Sequence, residues 1–126
     1  MRVLICGDRH WIDIKAIENI ILKLKYIATI IEGEAAGADS LSRVIAVKLN
    51  IPVQRYYADW LKYGKAAGMI RNKQMLDEGK PNIIIAFHDD IVNSKGTKNM
   101  LDIGIKAGIV CYLYTHEKGL NVYKEY

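Results

Sequence analysis

The chain predicts an α/β fold: a three-layer sandwich around a mostly parallel sheet of five or six strands, in an order near 3-2-1-4-5. Three observations predict it. Five short apolar runs alternate with four windows in which apolar residues recur at helical spacing, the pattern of successive βα units. Ile83, Ile84 and Ile85 are apolar at consecutive positions, as in a strand buried on both faces. The segments after the strand-like runs are glycine-rich or polar, as the exposed ends of sheet strands must be. Right-handed crossovers then leave few topologies, and the preferred order puts a crevice between the first and fourth strands.

The elements follow in order. Residues 2–6 form an apolar run that stops at Gly7. From Asp13 the period changes, and Ile14, Ile17, Ile20, Ile21 and Leu24 share one helical face, with Asp13 as the N-cap. Residues 27–31 read as the second strand. Asp39 is placed as the cap of a second helix carrying Leu41, Ile45 and Leu49. Asn50 suits the left-handed position after that helix, and Pro52 prevents its continuation. Residues 53–57 read as a third strand, and a tract from 58 to 68 leads into a helix from about 67 to 78 that ends at Gly79. Residues 82–87 form the fourth strand. A loop over 88–96 opens a helix over 97–107, and residues 109–114 form the fifth strand. Residues 120–123 are a possible edge strand.

Composition bounds the function. The 126 residues carry 18 Lys+Arg and 14 Asp+Glu, a net charge of +4. That excess favours an anionic ligand and is too small to announce nucleic-acid binding. The length suits one domain spanning residues 1–126, because two would each sit near the lower limit for a stable core. No apolar run reaches the length of a membrane span, and the N-terminus lacks the pattern of a signal peptide. Cys6 and Cys111 lie in apolar runs without metal-ligand spacing, and the strand order puts the fourth strand between them, too far apart for a disulfide. A cytoplasmic protein with buried, reduced thiols is expected.

Ligands of such sheets bind at the carboxyl ends of the strands. Four segments fall there. Gly7-Asp8-Arg9-His10-Trp11 offers a tight exit, a guanidinium fork and an indole plane; Trp11 could equally tuck into the core. Gly33-Glu34-Ala35-Ala36-Gly37-Ala38-Asp39 joins a strand to a helix N-terminus through small residues that admit a ligand close to the backbone. The third tract, 58–72, holds Trp60, Lys62, Lys65, Arg71 and Asn72, and with Lys73 gathers cations and aromatics without an acid from 60 to 76. In the fourth, Ser94, Gly96 and Thr97 open a helix and could cradle a phosphate or simply cap. Asp89 follows His88 in a loop before it. No GxSxG, CxxC or HExxH is present, and the histidines form no ligand set, so no metal is expected.

Together these segments resemble the SLOG superfamily of Rossmann-like nucleotide-binding domains, and within it the YspA-like, cpYpsA-related branch of small single-domain bacterial and phage proteins. The resemblance rests on residues 7–13, 33–39, 58–60, 63–68, Arg71-Asn72 and 94–97, in family order across nearly the whole chain. More distant likenesses are the DNA-processing protein DprA and the LOG, or lysine-decarboxylase-like, phosphoribohydrolases. The latter carry PGGxGTxxE; here Gly96 and Thr97 match, but Met100 stands where the glutamate belongs, and a thioether does no acid–base work.

The expectation is therefore a sensor or sequestering protein for a nucleotide-derived ligand of the ADP-ribose, NAD or cyclic-nucleotide kind, with no cofactor required. Phosphates would sit at 33–39 and 94–97, paired by Arg9 and Arg71. Trp11 or Trp60 would cover a base, and Asn72 would read a polar edge. The ligand-binding set is Gly7, Asp8, Arg9, Trp11, Gly33, Ala35, Gly37, Asp39, Trp60, Lys65, Arg71, Asn72, Ser94, Gly96 and Thr97. Two alternatives stay open. One is an N-glycosidic hydrolase using Asp8, Glu34, Asp39 or Asp89; the other is a single-stranded nucleic-acid binder of the DprA kind. The resemblance also implies a homodimer or higher homo-oligomer.

Overall fold

In the computed structural model, residues 1–124 are described. Six strands form one sheet in the order β3-β2-β1-β4-β5-β6. They are β1 (Arg2–Gly7), β2 (Thr29–Glu32), β3 (Val53–Arg55), β4 (Ile83–Phe87), β5 (Val110–Thr115) and β6 (Gly119–Val122). The first five are mutually parallel, and β6 returns antiparallel on β5. The helices are α1 (Ile14–Lys23), α2 (Ala38–Lys48), the single turn α3 (Trp60–Tyr63), α4 (Ala67–Gly79) and α5 (Gly96–Lys106). No helix among the described residues is long and apolar enough to cross a membrane.

Strand alternation builds two cores. Val3, Ile5, Ile30, Ile85 and Phe87 point to one face, where Ile17, Ile20 and Ile21 of α1 and Ile45 of α2 cover them. Leu4, Cys6, Ile31, Ile84 and Ala86 point to the other, against Met75 of α4 and Met100 and Leu101 of α5. With both faces covered, the central strands must be apolar throughout, which is why β4 reads as a continuous isoleucine run. Cys6 and Cys111 are free and buried, and β4 separates their strands.

Local signals explain the boundaries. Asp13 caps α1 by accepting the Ala16 amide at 3.1 Å. Asn50 takes a left-handed φ of 56° after α2, as its side chain permits. Of the boundaries that differ from the sequence expectation, three have a clear local cause. β3 stops at Arg55, with Tyr56 bonding Glu32 O at 3.0 Å before the chain leaves the sheet edge. α4 runs through Gly79, and Lys80 takes the left-handed position with φ 48°. Gly79 stays helical because it packs on Ile31, where an added Cβ would lie 3.2 Å from a methyl carbon. α2 begins at Ala38, with Gly37 in the capping position, so Asp39 lies inside the first turn and is not the N-cap.

Candidate functional site

The order of strands reverses between β1 and β4, and the chain diverges there into two loops that leave a crevice. The β1 exit is fixed in place. Asp8 N donates to Phe87 O at 2.9 Å, and Asp8 O accepts from Ala38 N and Trp11 N, both at 3.1 Å. Gly37, at φ 71°, lets α2 start against this loop; a Cβ there would lie 2.2 Å from Asp8 O. A Cβ on Gly7 would lie 2.3 Å from Phe87 O. These two glycines are required by close backbone approach, so the crevice is built by the main chain and does not wait for a ligand to form.

The crevice has two lobes. The inner one, about 290 Å³, is lined by Gly7, Asp8, Arg9, Ala35, Asp39, Arg71, Asn72, Ser94, Lys95, Gly96 and Thr97, with Cys6, Met75 and Met100 at its floor and His10 and His88 at its rim. The outer one, about 640 Å³, runs between residues 33–36 and the 57–69 tract, where Trp60, Lys65 and Gly68 line it. Arg9, Ala35, Arg71, Lys95 and Gly96 belong to both, so the cations stand at the neck. Three of the four glycine-rich or cationic segments therefore meet in the inner lobe with part of the third, and the tract around Trp60 extends it.

The α5 end is open. The first amides of a helix lack intrahelical acceptors and carry the positive end of its dipole. Ser94 Oγ accepts the Thr97 amide at 3.1 Å, which caps the turn. Gly96 faces open space, since an added Cβ would meet nothing within 4 Å. Neither Arg9 nor Lys95 has a carboxylate partner among the described residues.

The α2 end is different. Gly33 N and Ala35 N both donate to Asp39 Oδ2 at 3.2 Å, and Glu34 N donates to Glu32 Oε2 at 2.8 Å. The amides expected to hold a phosphate at 33–39 are engaged by the chain's own carboxylates. Asp39 is 5% exposed. Burial drives its carboxyl up to about 7, against the loop amides and Arg71, which favour the charged form. Glu32 beneath it is fully buried, and burial raises its carboxyl too.

Arg71 and Asn72 are largely committed to structure. Arg71 Nη1 donates to Gly33 O, and its Nε donates to Asn72 Oδ1 at 3.1 Å, which leaves part of the fork facing both lobes. The buried Asn72 amide donates to Gly96 O and Asn99 Oδ1, each at 3.1 Å. Both amide hydrogens of that side chain are used, so Asn72 positions α5 and keeps only the second lone pair of its Oδ1 to offer.

Two expected residues lie elsewhere. Trp11 is 5% exposed; its Nε1 donates to Asp13 O at 2.9 Å, and its ring stacks on His116 with centroids 4.5 Å apart. It belongs to the core on the α1 side. Asp89 turns away from the inner lobe toward His116, bonding its amide at 2.8 Å and its Nδ1 at 2.7 Å. His116 Nε2 meets Asp13 Oδ2 at 2.8 Å, so one imidazole ties the loops after β1 and β4 to the β5–β6 hairpin. Sequence reasoning missed this clasp, since 103 residues separate its ends. His10 and His88, which the sequence named without placing them in the ligand set, stand at the rim. Glu34 pairs with Arg55 at 3.2 Å on the outer lobe. Among the described residues no group of three or more His, Cys, Asp or Glu side chains is arranged to hold a metal ion.

Residues 1–63 match the family described as YAcAr: YspA, cpYpsA-related SLOG family. The chain is 32% identical over 117 residues to the Gene 61 protein of Mycobacterium phage D29, covering 86% of this chain and 91% of that protein. Its fold superimposes on the X-ray structure of DNA processing protein A (DprA) from Streptococcus pneumoniae with a TM-score of 0.73 and 16% identity. That superposition covers 90% of this chain and 50% of DprA, so this chain spans about half the length of that structure.

Proposed function

The chain belongs to the YspA, cpYpsA-related SLOG family, and from that premise we propose that it binds a nucleotide-derived ligand in the two-lobed crevice, as a sensor or a sequestering protein. One observation carries the reading: Arg9, Arg71 and Lys95 gather at the neck beside the open N-terminus of α5, between an inner polar lobe and an outer lobe walled by Trp60. A phosphate fits the neck, where a helix end and three cations converge. A base fits the outer lobe, with the 55%-exposed Trp60 and the stem of Lys65 as its walls. Ser94 and Thr97 shape the turn that presents the α5 amides, and Gly96 lets a ligand approach them.

Isothermal titration with ADP-ribose, NAD and a cyclic nucleotide tests this. At least one should bind, and Arg9→Ala and Lys95→Ala should each weaken it about tenfold, near the value of one charge-assisted contact. Neither side chain is buried, so both variants should keep the wild-type melting temperature. Absence of binding by every ligand at millimolar concentration overturns the proposal.

A second reading, single-stranded nucleic acid, draws support from the fold shared with DprA. The cations of the 58–73 tract argue against it. Lys73 is held by Asp77 at 2.9 Å, and Lys62 lies 5.0 Å over the Tyr63 ring. An N-glycosidic hydrolase, the enzyme reading, would release a free base on incubation with these ligands, which chromatography detects.

A further inference from the structure

Asp39 is the most unusual side chain in the crevice. It is a nearly buried carboxylate, and only one of its oxygens is satisfied. Oδ2 accepts both loop amides, from Gly33 and Ala35. No described residue donates to Oδ1. No fully buried side-chain polar atom in the described chain lacks a partner. The 5% of Asp39 that remains accessible therefore includes Oδ1, and the surface it borders is the inner lobe. A second carboxylate, Asp8, lines the same lobe, with Oδ1 accepting the His10 amide at 2.9 Å.

This arrangement makes the inner lobe polar in the electrical sense. A phosphate placed against Asp39 would face a carboxylate in a poorly hydrated site. A phosphate at the α5 N-terminus faces amides, Arg9 and Lys95. A group that donates a hydrogen bond has the opposite preference. Cation binding at Asp39 lacks the ligands it would need, since no metal-ligating cluster of three is present among the described residues. What remains is an O–H donor carried by the same molecule as the phosphate.

We propose that Asp39 is the residue that sets ligand specificity in this crevice: its unpartnered Oδ1 accepts a hydroxyl of the ligand's sugar, while the phosphate lies at the α5 N-terminus. This rests on the nucleotide reading above and adds to it. The site selects a phosphorylated polyol and discriminates against phosphate esters that lack the hydroxyl. A bond from a neutral hydroxyl to a carboxylate is of the stronger kind, and a site that loses it leaves a carboxylate oxygen unpaired. Asp39 is only 5% exposed, so that loss should register in affinity.

The test compares ribose 5-phosphate with methyl phosphate, which offers the same anion without hydroxyl groups, and includes ADP-ribose. By isothermal titration at pH 8, where the Asp39 carboxyl is mostly ionised, the wild-type chain should bind ribose 5-phosphate about tenfold more tightly than methyl phosphate. Asp39→Asn should erase that preference. Its amide oxygen can keep the Gly33 and Ala35 bonds while its NH₂ faces the lobe, so methyl phosphate should bind as well as before or better. A purely structural Asp39 would shift both probes together. Equal wild-type affinity for the two small probes, or binding of ADP-ribose alone, overturns the role of Asp39 and leaves the nucleotide reading intact. Binding of none of the three overturns both. The wild-type comparison decides the matter even where Asp39→Asn does not fold.

Discussion

Asp39 also governs how stability responds to pH. Its folded carboxyl titrates near 7, against 3.8 for an unperturbed one. The groups facing it are Arg71 from α4, Glu32 from β2 and Cys6 from β1. A carboxyl whose affinity for protons rises on folding favours the native state below its unfolded value and loses that contribution as pH climbs through the folded one. Asp39 therefore weakens the fold progressively between about pH 4 and 7. Asp39→Asn removes the titration. Chemical denaturation at pH 5 and pH 8 should find the variant gaining on the wild type at the higher pH, and a difference that does not move with pH would refute the buried charge. Gly37 offers a second test at this scale. With φ at 71° and Asp8 O standing where a Cβ would go, Gly37→Ala must displace the β1 exit loop. It should cost about 2 kcal/mol or more in denaturant midpoint analysis and weaken every crevice ligand. The sequence suggested a close approach at 33–39 through its small residues. It did not reveal what approaches: the partner is backbone from the preceding crossover, 29 positions earlier, and only the sheet order brings the two together.

At the scale of elements, strand and helix identities were legible because each is set by a short-range rule. Apolar runs bounded by glycine or polar residues marked the strands, and Asp13, Asn50 and Pro52 marked helix ends by their own conformational preferences. The α2 start was misread for a physical reason. An aspartate before an apolar helical face ordinarily caps its own helix, but here its carboxylate reaches back to the Gly33 and Ala35 amides, and Gly37 takes the capping position. The Trp11 outcome is similar. A surface indole and a core indole look alike in sequence, and the choice depends on His116, which stacks on it from the hairpin. That clasp has its own pH signature. Hydrogen bonds to Asp89 and Asp13 raise the His116 imidazole above 6.5, and the bond to His116 lowers Asp13. Slight burial raises Asp89, and its hydrogen bonds to His116 outweigh that and lower it. The histidine term is present below its unfolded value and fades as pH rises through the folded one. The aspartate terms are lost as pH falls below the carboxylate range. The clasp is complete between roughly pH 4 and 6.5. In a Trp60→Phe background, Trp11 fluorescence should titrate with a midpoint above 6.5, because a protonated imidazole stacked on the indole quenches it. His116→Gln should abolish that transition; an unchanged curve would show that the imidazole does not charge beside Trp11.

At the scale of the whole molecule, the modest charge excess contributes cations to the crevice. Lys48, Lys73 and Lys98 are paired with Glu18, Asp77 and Asp102, and Arg43 and Arg55 with Glu32 and Glu34. These pairs neutralise only their own patches, and most are exposed enough to add little stability of their own. What they leave without a carboxylate partner includes Arg9, Lys65 and Lys95, on the walls of one crevice. A few cations on the walls of one crevice suit a compact anion and give a long strand few phosphates to neutralise. Salt dependence separates the two cases. Each phosphate neutralised on a single strand contributes about −0.7 to the slope of log affinity against log salt. A nucleotide held at the neck engages one or two phosphates, so titrations between low and physiological salt should give a slope shallower than about −2. An oligonucleotide tracking from the neck across Lys65 and Lys62 would engage several more and give a slope steeper than about −3. The shallow slope is expected for ADP-ribose, and a gel shift with a short single strand should show weak binding that is lost first as salt rises. A steep slope with tight strand binding would move the assignment to nucleic acid, and the crevice would then be the part of a longer track where one phosphate is held most firmly.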